Sequence, residues 1–243
     1  MRILNAPIPL LLIACFASCD KKSVTSAPVE MKLFDHRDAD IPILPVKKGD
    51  FWKYRVKVEI PAGIASEGAA AVDIEQEKSR RYVGKVNAGK DRPEVDAFDV
   101  ESPGVPVERE LVEILEDRIL MRGSTRPDMP DAQPIWMDPP VPFVVAGVRP
   151  GQVVAEFGVQ DGARKRGIKV VARESVKVPM GEYAAIRLLM TGNDGRFDVR
   201  RTTWFVPGIG IVKEEKTRYA DGKLLFRETS ELIGTSMKLA TGE

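Results

Sequence analysis

Few side chains in this sequence are equipped for catalysis. It holds one histidine, His36, and two cysteines, Cys15 and Cys19. A single imidazole excludes every multi-histidine metal motif, and a Ser-His-Asp arrangement would need His36 to fold into a site. His36 lies in a polar stretch ahead of the first folded pattern, so it reads as a solvated linker residue. Both cysteines fall at the N-terminus, so the remainder has no disulfide, no thiol nucleophile and no thiolate metal site. Carboxylates are left. Glu108, Glu110, Glu113, Glu116 and Asp117 crowd together, and paired carboxylates alone can hydrolyse glycosides. Such charge-rich stretches read as solvated surface, and the sequence has no Gly-x-Ser-x-Gly, phosphate loop or metal-ligand cluster. The expectation is a protein that is not an enzyme and uses no cofactor and no metal. A carboxylate-dependent envelope hydrolase is the alternative.

Cys19 has different chemistry. Arg2 gives a short positive start, and Ile8 to Ala17 is an apolar run of about ten residues, half of the roughly twenty that a membrane-spanning helix needs. A positive start, a short apolar core and small residues at its end describe a secretory signal peptide. The junction Phe16-Ala17-Ser18-Cys19 resembles the lipobox of bacterial lipoproteins, with Phe16 where Leu is usual. That resemblance implies lipidation of Cys19 and a mature N-terminus there. The alternative is ordinary signal-peptidase cleavage, leaving a plain thiol. Each buried methylene of an anchor contributes about 0.8 kcal/mol, so two or three acyl chains such as palmitate hold a protein permanently. Asp20 follows the Cys and resembles the enterobacterial signal for inner-membrane retention; inner or outer membrane is left undecided. The expected organisation is a signal peptide at 1–18, lipidated Cys19 with a flexible tether at 19–40, one β-rich domain at 41–235 and a tail at 236–243. The expected place is the bacterial cell envelope, with the domain outside the cytoplasm.

Composition narrows the partners. Lys and Arg number 37 against 36 Asp and Glu, so no nucleic-acid surface is expected. Arg80-Arg81 and Arg164-Lys165-Arg166 read as turns or strand ends in solvent. The expected partners are the membrane, through the anchor, and a lipid or an envelope protein.

The elements that must position these groups are strands. In Phe51 to Ile60, Trp52, Tyr54, Val56, Val58 and Ile60 share one face, a period of two. The C-terminal half repeats the pattern. Strands are expected over 167–178, 182–191, 197–206, 211–219 and 224–233, separated by Gly-containing turns. In the second of these, Ala184, Ile186, Leu188 and Met190 share a face; in the third, Phe205 and Trp204 point to opposite sides. A further hairpin is expected over 81–86 and 93–100. Residues 107–121 fit either a helix or two short strands about Glu116-Asp117-Arg118, and the β neighbours favour strands. Residues 126–142 hold six prolines and are expected to form a long ordered loop, in which Trp136 packs the loop down or stacks on a ligand.

Three segments resemble those of a broad, uncharacterised group of bacterial secreted and lipid-anchored proteins. These are Gly49-Asp50-Phe51-Trp52-Lys53-Tyr54, Val178-Pro179-Met180-Gly181-Glu182-Tyr183-Ala184-Ala185-Ile186, and Trp204-Phe205-Val206-Pro207-Gly208-Ile209-Gly210-Ile211-Val212-Lys213. The resemblance implies a mainly β fold with little helix: a long curved antiparallel meander forming a half-open β-barrel, similar in shape to the periplasmic lipoprotein carriers. By that analogy the concave face would hold an acyl chain against aliphatic and aromatic residues, with few charges. Trp52, Tyr54, Trp136 and Phe205 are the residues expected to face a ligand or to pack. A carbohydrate-binding or adhesion module on the cell surface is a further alternative, with the Trp136 loop as its site.

Overall fold

The computed structural model describes residues 42–238, apart from 65, 67, 88–91, 130–133, 160–163 and 194–195, together with the backbone of Thr25–Ser26. Cys15, Cys19 and His36 lie outside the described residues. The strands are β1 (Thr25–Ser26), β2 (Phe51–Ile60), β3 (Val72–Asn87), β4 (Glu94–Glu101), β5 (Glu108–Ile114), β6 (Arg118–Thr125), β7 (Ile135–Val145), β8 (Val153–Val159), β9 (Arg164–Val178), β10 (Gly181–Asn193), β11 (Asp198–Val206), β12 (Gly210–Ala220) and β13 (Lys223–Thr235). Among the described residues there is no helix, and so none long and apolar enough to cross a membrane.

All ladders are antiparallel. The sheet runs β8 to β13 in chain order, crosses from β13 to β2, and continues in order to β7, while the two-residue β1 lies on the outer edge of β8. This makes a twelve-stranded, nearly closed barrel from β2 to β13. One seam is not bridged by a ladder, and it lies between β7 and β8, consecutive strands joined by residues 146–152. The first and last long strands, by contrast, are firmly paired, Leu232 opposite Tyr54 and Ser230 opposite Val56.

Alternation decides which side chains enter the barrel. On β2, Trp52, Tyr54 and Val56 are buried, and Lys53, Arg55 and Lys57 face solvent. The apolar core fills one end of the barrel and contains Trp52, Phe98, Val144, Ile186, Leu188, Phe205, Val212 and Leu232. Among the described residues the buried ones run from Ile43 to Met237. The three segments that carried the family resemblance meet at this closed end. The Trp52 indole N–H donates to the Ile209 carbonyl at 2.7 Å, and the Tyr54 hydroxyl donates to the Ile211 carbonyl at 2.9 Å. Gly210, at φ +104°, leaves no room for more: a Cβ there would stand 3.3 Å from Leu44 and 3.4 Å from the Trp52 indole nitrogen. Met180 donates its backbone N–H to Leu232 beside them. Ile43 and Leu44 cap this end, with Gly208 donating to the Ile43 carbonyl.

The C-terminal strands match the sequence expectation to within a few residues. Residues 107–121 belong to the β5–β6 hairpin, closed by a bond from Leu115 N–H to the Arg118 carbonyl. Three expectations need correction. Residues 126–142 are not all loop: β7 begins at Ile135 and runs through Pro139, Pro140 and Pro142. It can do so because it is the edge strand at the seam, with one side free of a ladder, which is where proline is tolerated. The second strand of the barrel, β3, starts at Val72, well before the expected hairpin at 81. Arg80 therefore sits mid-strand inside the barrel rather than at a turn, its guanidinium 3.7 Å from the centre of the Phe98 ring. And β8 had no counterpart in the sequence reading. Of the expected tail, Ser236 hydrogen-bonds to Asp50 and Phe51, and Met237 is buried.

Candidate functional site: an amphipathic cavity in the barrel lumen

Above the apolar plug, the strands enclose a cavity of about 390 Å³. Its walls differ. From β5, β6, β7 and β10 come Val112, Ile119, Met121, Met137, Phe143 and Met190. From β3, β5, β11, β12 and β13 come Lys78, Arg80, Glu108, Glu110, Arg201, Glu214, Lys216 and Glu228. The strand registers explain why these charges share the interior. Lys78 stands opposite Tyr54 and Arg80 opposite Trp52; Glu214 stands opposite Ser230 and Lys216 opposite Glu228. The two walls approach where the Arg201 guanidinium lies 5.7 Å from the Phe143 ring centre.

The charges form one network. Arg80 Nε donates to Glu110 at 2.8 Å, and Arg201 Nε donates to Glu214. Lys216 Nζ stands 3.2 Å from Glu214 Oε1 and 3.2 Å from Glu228 Oε1. Lys78 Nζ donates to Ser230 Oγ at 3.1 Å and stands 3.5 Å from Glu228. Glu214 is nearly enclosed, with 6% of its side chain exposed, whereas Lys216 keeps 40% because it borders the open lumen.

The protonation of these groups follows from their surroundings. Burial alone would raise the carboxyl of Glu214, but Arg201, Lys216 and Lys78 overcome it and hold the group well below the usual range. Glu110 and Glu228 are lowered in the same way, by Arg80 with Arg201 and by Lys216 with Lys78. Glu214 and Lys78 also hold Lys216 and Glu228 in place as partners: the lysine ammonium of Lys216 is raised by Glu214 and Glu228 against burial. The three carboxyls therefore stabilise the folded state above the ordinary value of 4.5, and that contribution is lost as pH falls through their lowered folded values. Glu108 behaves oppositely. Burial and then Glu110 push its carboxyl up, only partly offset by Lys216, Arg201 and Arg126. A raised carboxyl costs stability once pH passes the unfolded value. Glu108→Gln should therefore stabilise the protein at pH 7 by about half a kcal/mol or less, and the gain should vanish below pH 4.5. Urea unfolding at the two pH values checks this; a gain that persists in acid would contradict it.

The sequence candidates disperse. Trp52 and Phe205 are packed in the plug, 0% and 1% exposed. Tyr54 is buried and also lines the cavity floor. Trp136 is not in the lumen. It packs on the outside of the barrel against Val95, Ala97 and Leu111, with Arg92 5.1 Å from its ring centre. The expectation of an inner face with few charges is overturned. Glu110, read from sequence as solvated surface, points inward and pairs with Arg80. The overlooked residues are those of β3 and β12, together with Arg201 of β11 and Glu228 of β13. On β3 and β12 the signal was present as charged residues at every second position of a strand, Lys78 and Arg80, then Glu214, Lys216 and Arg218. Among the described residues no group of His, Cys, Asp and Glu is placed to hold a metal ion.

No family model matches the chain, and no curated protein matches it. Two solved structures do. One is a candidate exported protein with a YmcC-like fold from Bacteroides fragilis NCTC 9343, 13% identical, covering 81% of this chain and 99% of its own, with a TM-score of 0.46. The other is a candidate lipoprotein from Parabacteroides distasonis ATCC 8503, 11% identical over the same shares, with a TM-score of 0.47. At such identities, function has to be argued from the residues of this chain.

Proposed function

We propose that this chain is a non-catalytic, lipid-tethered envelope protein whose barrel lumen holds a single amphipathic ligand bearing an acyl chain. The observation that carries the reading is the two-sided cavity, with a methionine-rich apolar wall facing an ionic one. A volume of about 390 Å³ falls within the range of roughly 300–1,000 Å³ found for small-molecule sites. Methionine walls adapt to irregular apolar shapes. The ionic wall needs a polar group or water beside it, which a purely hydrocarbon ligand would not supply. The tether rests on the Phe16-Ala17-Ser18-Cys19 junction. The charged outer face of β2 suits a barrel surrounded by water, since a membrane-spanning barrel presents an apolar band to lipid.

Residues 20–243, directed to a periplasm by a cleavable signal and released gently, should carry a discrete extra mass in native mass spectrometry. Organic extraction should remove that mass and yield a lipid. A clean apo mass across independent preparations would count against the reading and turn attention to a protein partner.

A further inference from the structure

We propose that the open end of the barrel rests on the membrane that holds the anchor, so that the lumen opens onto a lipid surface. The inference rests on the lipid-tethered reading above and adds which face of the barrel meets the bilayer. Strands of the meander turn alternately at its two ends. The β9–β10 and β11–β12 turns lie at the plug, where Met180 bonds to Leu232 and Ile209 to Trp52. The β2–β3, β4–β5, β6–β7, β8–β9, β10–β11 and β12–β13 connections therefore lie at the open end. The short β1 shows where the tether meets the barrel. Thr25 stands opposite Gly158 and Ser26 opposite Phe157, beside the open-end terminus of β8 at Val159. It also lies beside β7, at the seam. Because the pairing is antiparallel, β1 points toward the open rim in its N-terminal direction.

Chain length turns this placement into an orientation. The steps of chain from Cys19 to Thr25 reach at most about 20 Å. The β9–β10 turn is much farther away. Phe157 stands opposite Arg166, and Arg166 opposite Gly192. From Gly192 back to Gly181, β10 rises about 37 Å, at roughly 3.4 Å per residue. A lipid on Cys19 therefore holds the open end near the bilayer and leaves the β9–β10 turn beyond the reach of the anchor. The open rim suits a lipid surface. Ile74 of β3, Met129 of the β6–β7 connection and Ile135 at the start of β7 are 39%, 44% and 45% exposed. Val105 and Pro106 of the β4–β5 connection line the cavity together with Ile135. The β2–β3 connection, residues 61–71, consists of Ala, Gly, Ile and Pro apart from Ser66 and Glu67. Burying such side chains at the head-group boundary is favourable. The other exposed large apolar side chains among the described residues, Leu115, Val153 and Met180, lie toward the closed end. The anchor decides between the two ends. An acyl chain leaving the bilayer at the open rim would enter the lumen without its methylenes crossing water.

The test uses the mature lipidated protein in vesicles of phosphatidylethanolamine and phosphatidylglycerol. Flotation with the vesicles and the mass of the N-terminal peptide report the anchor. With Cys19 acylated, a cysteine introduced as Met129→Cys or Met180→Cys is the single thiol, and it takes an environment-sensitive nitrobenzoxadiazole label at the open or the closed end. Both side chains are exposed, so neither replacement disturbs the core. Lipids carrying a nitroxide near the head group should quench the label at position 129 several-fold more strongly than the label at 180. Ile135→Cys and Leu115→Cys repeat the comparison on other turns, which keeps the answer independent of any one variant. Equal quenching at the two ends, or stronger quenching at the closed end, would overturn the orientation and leave the tethered reading standing. Floating protein with no quenching at either end would overturn it as well and turn attention to a protein partner at the rim. Protein that carries no lipid and does not float would overturn both.

Discussion

Trp52→Ala should destabilise the barrel by about 3–5 kcal/mol, the range for removing a large buried aromatic. Trp52 is fully buried, meets Phe98 edge-on at 5.8 Å between ring centres, and fills the space that Gly210 leaves open. Its loss would also leave the Ile209 carbonyl without the 2.7 Å indole bond. Trp52→Phe separates the two contributions, since it keeps most of the packing and deletes the donor. Its cost should be smaller, about 1–3 kcal/mol, the penalty for an orphaned buried acceptor. Denaturant unfolding followed by circular dichroism measures both. Equal costs for the two variants would mean that the hydrogen bond, not the ring, holds the plug together.

The second large effect is expected at the ionic wall. Arg201→Met should cost about 3–5 kcal/mol, because it takes from the enclosed Glu214 the guanidinium that bonds it directly and leaves Lys216, with Lys78 further off, to offset its charge. The double variant Arg201→Met, Glu214→Met should recover a substantial part of that loss, since replacing both partners removes the stranded charge as well as the pair. The coupling between the two sites in a double-mutant cycle is the measured quantity. Additive costs, with no recovery, would show that the two residues act independently and that Lys216 already neutralises Glu214.

These two regions also differ in how far they could be read from sequence. The plug was legible. Trp52, Tyr54 and Val56 alternate with charged residues, and a period of two with aromatic and β-branched residues has one ordinary meaning in a strand. The Asp-Gly pairs that follow β10 and β12 in the sequence marked the hairpins for the same local reason. The ionic wall was illegible because alternation assigns apolar residues to the inside and charges to the outside. In β3 and β12 charged residues take the inward positions, and a charged side chain facing a lumen looks in sequence like one facing solvent. Only the successive pairing of β12 with β13, β13 with β2 and β2 with β3 brings Glu214, Lys216, Glu228 and Lys78 together. The prolines of β7 misled for another reason. Whether a strand tolerates proline depends on whether it is an edge, which is a property of the completed sheet. For Trp136 the local sequence suggested a loop, and the partner that settles its place, the Val95–Ala97–Leu111 cluster, lies on two other strands.

The position of the seam has a consequence for how the chain reaches this shape. From β2 to β7 and from β8 to β13, every ladder joins strands adjacent in the chain, so each six-stranded half can form from local contacts. The single ladder that unites the halves pairs β13 with β2, out to Thr235 opposite Trp52, the widest sequence separation of any ladder among the described residues. Loop-closure entropy grows with the length enclosed, and contacts of this kind slow folding. A chain delivered N-terminus first therefore exposes the free edge of β2 until β13 arrives. During that interval the β2 edge is open to pairing with other chains, and the arrival of β13 ends its exposure.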